Sequence, residues 1–112
     1  MEISRRLELV AGLVSNEIIA DIGTDHAYLP VYLVEIGVIK KAIAADLRVG
    51  PLENAKLAVD SYNYSDKIEL RLSDGLDNFK ANEVEEIAVA GMGGLLISSF
   101  IERTDWLKKS DI

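Results

Sequence analysis

Three carboxylates stand where apolar runs of the chain stop: Asp21 in "EIIADIGTDHAYLP", Asp46 in "KAIAAD" and Asp74 in "KIELRLSDG". Behind the first come Gly23, Asp25, the only histidine (His26) and Tyr28. A carboxylate at a strand end can accept both hydroxyl hydrogens of a ribose, and Asp46, twenty-three positions after Gly23, has the spacing for it. The same residue also suits capping of the helix that follows. Asp74 can accept from an adenine amino group while Gly75 leaves room for the ring, although Asp-Gly is equally a common turn pair.

Gly23 lets a main chain approach a bound cofactor, or simply makes a strand-to-helix turn. A nicotinamide-binding turn would read G-x-G-x-x-G, and the two later glycine positions here hold Asp25 and Tyr28. A carboxylate at that spot repels a pyrophosphate resting on a helix start. A cofactor with a cationic or amine group and no phosphate fits better. "AGMGG" (90 to 94) would let a flat substrate come close to the main chain, or be a tight turn with Met92 filling a gap. A lone histidine without cysteine predicts no metal site, and His26 reads as a structural hydrogen-bonding residue. The runs "EVEE" (83 to 86) and "KK" (108 to 109) are expected on solvated faces.

The elements that must position these groups alternate. Ile3, Leu7, Val10 and Val14 form one helical stripe; residues 17 to 23 read as a buried strand, and 28 to 37 as a helix with Leu29, Leu33 and Ile36 inward. Residues 41 to 46 form the second strand, and the helix after Gly50-Pro51 turns Leu52, Ala55, Val59 and Tyr62 inward. A third strand over 67 to 75 sets Ile68, Leu70 and Leu72 against Glu69 and Arg71 on a wetter face. A fourth runs over 85 to 94, and 95 to 104 is expected to be a helix. This order predicts an α/β fold: a Rossmann-like open parallel sheet flanked by helices, in one domain over residues 1–112. Ligands of such sheets bind beyond the carboxyl ends of the strands, where "DIGTDHAY" lies.

At 112 residues there is room for one core, and 49% apolar residues argue against disorder. The net charge of −7 repels a phosphate backbone, so any nucleic acid must be gripped mainly elsewhere. The absence of cysteine excludes disulfides and thiolate metal sites, and no segment reads as a signal peptide or membrane span. A cytoplasmic protein is the simplest expectation.

Taken together, "ADIGTDHAYLP", "AADLRVGPLENAK", "RLSDGL" and "IAVAGMGG" resemble the Rossmann-type S-adenosylmethionine-dependent methyltransferases, and more narrowly the bacterial family that methylates N1 of adenine 22 in tRNA. The resemblance implies S-adenosylmethionine as cofactor, with Asp21, Gly23 and Tyr28 in the first cofactor motif. It places Asp46 on the ribose hydroxyls, Asp74 and Gly75 at the cofactor adenine, and Gly91 and Met92, with the two glycines after them, on the methyl-transfer side. Asp25 is the candidate catalytic group, accepting from the amino group of the target adenine as the ring becomes cationic; helix capping is its alternative role. Family members continue through further strands and a helical extension that helps hold tRNA. The resemblance therefore implies the N-terminal part of such an enzyme, cut before the fifth strand of a class I methyltransferase fold, with most tRNA contacts missing. The fourth strand would then lie at an exposed edge open to self-association. A nucleotide- or NAD-binding Rossmann module without methyltransferase activity, and a ligand-free scaffold, are the competing readings.

Overall fold

Ser4 opens the first helix, its Oγ accepting from the Leu7 N–H at 3.1 Å. The computed structural model describes residues 4–24, 26–80, 82–89 and 96–98. Helix α1 spans Arg5–Leu13, and its stripe is the one that the periodicity predicts: Val10 and Val14 are buried and Leu7 packs against them; Ile3 lies outside the described residues. Strand β1 (Ile18–Ile22) leads to α2 (Tyr28–Glu35), β2 (Lys41–Asp46), α3 (Val49–Ser61), β3 (Ile68–Leu72) and β4 (Glu86–Val89). Pro30 and Pro51 each sit in the first turn of their helix, where a missing N–H leaves no intrahelical bond unmade. No described helix is long and apolar enough to cross a membrane.

The strands, with β5 at Leu96–Ser98, lie in the order β3-β2-β1-β4-β5, the first four parallel. The chain winds outward from β1 to β3 and then returns to the other side of β1. Strand order thus reverses beside the carboxyl end of β1, the place where open α/β sheets form their crevice. One face of the sheet, through Ile19, Ala42, Ala44 and Ala88, packs on Val10, Val31, Leu33, Ala55 and Val59 of the three helices. The other, through Ala20, Ile43, Ala45 and Ile87, is covered by Leu76, Phe79 and Val84 of the β3–β4 connection. Burial of a large apolar side chain is worth about 2 kcal/mol. That connection is therefore part of the core and holds its own turns in place.

Several expectations are corrected. Of the helix expected over 95–104, the described residues Leu96–Ser98 form a strand, β5, antiparallel to β4 with Val89 opposite Leu96 and Ile87 opposite Ser98. This pairing occupies the outer row of β4 N–H and C=O groups, which a helix would leave open. The edge offered for self-association is therefore covered, and the sheet has a fifth strand. Ile36 is 50% exposed because the helix ends before it, and Gly37 turns the chain away at φ 78°. Leu72 is 48% exposed at the tip of an edge strand, and Tyr62, at the cap of α3, is 37% exposed. The run 83–86 is not simply a solvated face, since Glu86 is fully buried. Its Oε1 accepts from the N–H groups of Ser15 and Asn16 at 3.0 and 2.8 Å, while Glu85 Oε1 takes those of Glu17 and Ile18 at 3.3 and 3.1 Å. Two adjacent acids at the foot of β4 thus fasten the linker between α1 and β1.

Candidate functional site

The turn after β1 is built on β2. Gly23 N–H and Thr24 N–H both donate to the Ala45 carbonyl at 2.9 Å, which bends the chain over the end of the neighbouring strand. Gly23 holds φ 73°, a left-handed conformation that costs other residues about 1–2 kcal/mol. A Cβ built there would meet nothing within 4 Å, so open space lies against this main chain. Ala27, at the N-cap of α2, takes the same left-handed conformation at φ 58° while fully buried, a second strained position in one short turn.

Asp21 and Asp46 stand at the carboxyl ends of adjacent parallel strands and on the same sheet face. Asp21 is opposite Ala44 in the register, two residues before Asp46. Both are almost wholly buried. Asp21 Oδ2 accepts from Thr24 Oγ1 at 2.7 Å. Burial pushes its carboxyl up to about 7; the Thr24 hydrogen bond works against that rise, and the negative charge of Asp46 adds a little to it. Asp46 Oδ1 accepts from Arg48 N–H at 3.0 Å, with the Arg48 Nε 3.6 Å away. This is a local turn two residues long, and the cap position of α3 belongs to Arg48 rather than to Asp46. The second oxygen, Oδ2, accepts no hydrogen bond among the described residues. It is free to accept from a hydroxyl or amine.

Asp74 is exposed and sits in a turn that other groups build. Ser73 N–H donates to the Asp46 carbonyl at 2.9 Å, joining this turn to the end of β2. Ser73 Oγ donates to the Gly75 carbonyl at 2.8 Å and accepts from Asn78 N–H at 3.2 Å, while Asn78 Nδ2 donates to the Leu72 carbonyl at 2.7 Å. Gly75 takes φ 57°, which the turn requires. The structure therefore brings Asp21, Gly23, Asp46, Asp74 and Gly75 to one end of the sheet. Tyr28 is placed differently: it begins α2, stacks on His26 at 5.0 Å and lines a surface groove with Asn54, Leu57 and Tyr62. Asp25, Gly91 and Met92 lie outside the described residues.

Sequence reasoning missed Arg71. Its guanidinium binds Glu69 on its own strand and Glu83 across the β3–β4 connection. The one available signal was the alternation of Glu69 and Arg71 on the wetter face of β3, with an acidic run twelve positions on. No group of three or more His, Cys, Asp or Glu side chains among the described residues could hold a metal ion. The set at the strand ends has the chemistry to grip an unphosphorylated, hydroxyl- and amine-bearing ligand. The carboxylates of Asp46 and Asp74 there oppose a pyrophosphate.

A family model described as a methyltransferase domain matches residues 3–111. The chain belongs to that methyltransferase-domain family. This methyltransferase domain is 41% identical over 103 residues to the tRNA (adenine(22)-N(1))-methyltransferase of Bacillus subtilis (strain 168), covering 91% of the chain and 43% of the relative. Its fold is similar to that of M. capricolum TrmK in complex with S-adenosyl-homocysteine, with a TM-score of 0.76 and 39% identity over 83% of the chain and 43% of TrmK. Streptococcus pneumoniae Sp1610 in complex with S-adenosyl-L-methionine gives the same TM-score, with 48% identity over 82% of the chain and 44% of that protein. The methyltransferase domain spans less than half the length of the curated relatives it matches.

Proposed function

We propose that this domain binds S-adenosylmethionine at the carboxyl ends of β1, β2 and β3, and that the protein carrying it methylates N1 of adenine 22 in tRNA in the cytoplasm. The observation that carries the cofactor reading is Asp46: nearly buried, one oxygen held by Arg48 and the other open, beside the clear space over Gly23. Asp46 binds the ribose diol, Asp74 accepts from the adenine amino group, and Gly75 gives the ring room. Asp21 and Gly23 make the first cofactor turn, with Tyr28 beside it at the groove along α3, and Gly91 and Met92 line the side of methyl transfer.

When bound, S-adenosylmethionine supplies an electrophilic methyl group. Adenine N1 already carries an in-plane lone pair, so the protein's task is alignment more than proton abstraction. Asp25 accepts from the exocyclic amino group and stabilises the positive charge that N-methylation puts on the ring. The target base must be unpaired or turned outward, because N1 is occupied in a duplex. With a net charge of −7 this chain leaves the phosphate contacts to other parts of the protein.

Calorimetric titration with S-adenosylhomocysteine tests the cofactor step. The domain binds, and Asp46→Ala weakens binding about 100-fold or more, the cost of two hydrogen bonds to a charged group. Tight binding of NAD with no heat from S-adenosylhomocysteine would instead select the dinucleotide module. For the substrate, the complete protein should label an adenine-22 transcript and spare a guanine-22 transcript; equal labelling of both defeats the assignment.

A further inference from the structure

We infer that Arg71 is a positioning residue that sets base discrimination at this site, by holding the turn from which Asp74 reads the amino edge of the cofactor's adenine. The inference rests on the S-adenosylmethionine reading above. All five guanidinium N–H groups are engaged. Nη1 and Nη2 donate to the two carboxylate oxygens of Glu83, both at 2.7 Å, a bidentate fork. Nε and the remaining Nη2 hydrogen go to Glu69 Oε2, and the remaining Nη1 hydrogen goes to the Asn78 carbonyl at 3.0 Å. The guanidinium also lies 4.8 Å from the centre of the Phe79 ring. Glu83 Oε1 in turn accepts from Lys80 N–H at 3.0 Å.

Arg71 therefore ties β3 to both halves of the 73–84 connection. From Asn78 the path to the site is short: Asn78 N–H to Ser73 Oγ, and Ser73 Oγ to the Gly75 carbonyl. Asp74 itself is exposed and is held through its main chain, whose carbonyl accepts from Asp77 N–H at 3.1 Å. The place of its carboxylate is thus decided by the turn, and the turn by the clamp. Leu76 and Phe79 anchor the connection in the core under the sheet, so loss of Arg71 should loosen this geometry before it unfolds the connection. Lysine cannot stand in, having a single point charge in place of a planar fork.

The test compares S-adenosylhomocysteine with S-inosylhomocysteine, which presents a carbonyl where adenine presents its amino group. The unaltered chain should bind the adenosyl compound at least tenfold more tightly, and Asp74→Ala should remove that preference. Arg71→Met, which keeps an apolar stem and loses the fork, should bring the ratio below about threefold, and Glu83→Gln, which cuts the clamp from the other side, should lower it in the same direction. A purely structural role would weaken both ligands by the same factor and leave the ratio alone. That outcome, or a ratio unchanged in both clamp variants, overturns the inference, as does the absence of any preference in the unaltered chain. Binding of neither compound by the unaltered chain defeats the cofactor reading itself.

Discussion

Asp21 offers the sharpest perturbation, because folding confines a carboxyl that water would ionise freely. Its ordinary value of 3.8 rises to about 7 in the folded chain, chiefly through burial. The folded state therefore holds a proton that the unfolded state has released, and stability falls as pH rises from about 4 to about 7, then levels off. At about 1.4 kcal/mol per pH unit, this one group costs the folded state about 4 kcal/mol at pH 8. Against a whole-domain stability of about 5–15 kcal/mol, such a loss is large enough to measure. Asp21→Asn keeps the shape and can still accept from Thr24 Oγ1, but cannot ionise. Urea unfolding at pH 5, 6, 7 and 8 should show the variant increasingly more stable than the unaltered chain, the gap widening by about 1 kcal/mol per unit up to neutrality. Glu83, held down at about 2 first of all by its hydrogen bonds from Arg71, loses its contribution only below this window and does not confuse the comparison. Asp46→Asn should change the slope little, since its charge is the smallest of the named causes. Parallel stability curves for the unaltered chain and Asp21→Asn would refute the argument.

Two further substitutions test the frame of the site. Gly23→Ala should cost about 1–2 kcal/mol in unfolding experiments from its left-handed backbone. Its methyl group would fill the open space and weaken S-adenosylhomocysteine binding as well; unchanged affinity would show that no ligand approaches there. Glu86→Ala strands the N–H groups of Ser15 and Asn16 and should cost about 3 kcal/mol, read by urea midpoint, whereas Glu86→Gln keeps an acceptor and should cost less than half as much. Equal losses for the two would mean that packing, not hydrogen bonding, is what Glu86 supplies.

The local part of this architecture was legible and the distant part was not. Strand β2 ends where its apolar run ends, and the carboxylates of Asp21 and Asp46 stand out because a charge closing such a run has few structural reasons to be there. Period-3.6 and period-2 patterns likewise separated α1 from β3. What escaped notice depends on partners that meet only in the folded chain. Glu83 and Arg71 are twelve positions apart and face each other because the connection folds under the sheet; Glu86 finds its donors some seventy positions earlier. Leu96–Ser98 shows the same limit in another form. A stretch such as "LLISSF" suits either a helix or a strand, and an unpaired row of main-chain groups on β4 decides between them.

The two acids at the foot of β4 have a consequence for synthesis. During translation, the peptide groups of residues 15–18 leave the ribosome long before Glu85 and Glu86 do. A nascent chain halted short of those acids can wind its first helices but cannot seat the entrance to its central strand. Assembly of the sheet is therefore expected to wait for the fourth strand and then close in a single late step, instead of accumulating unit by unit from the N-terminus.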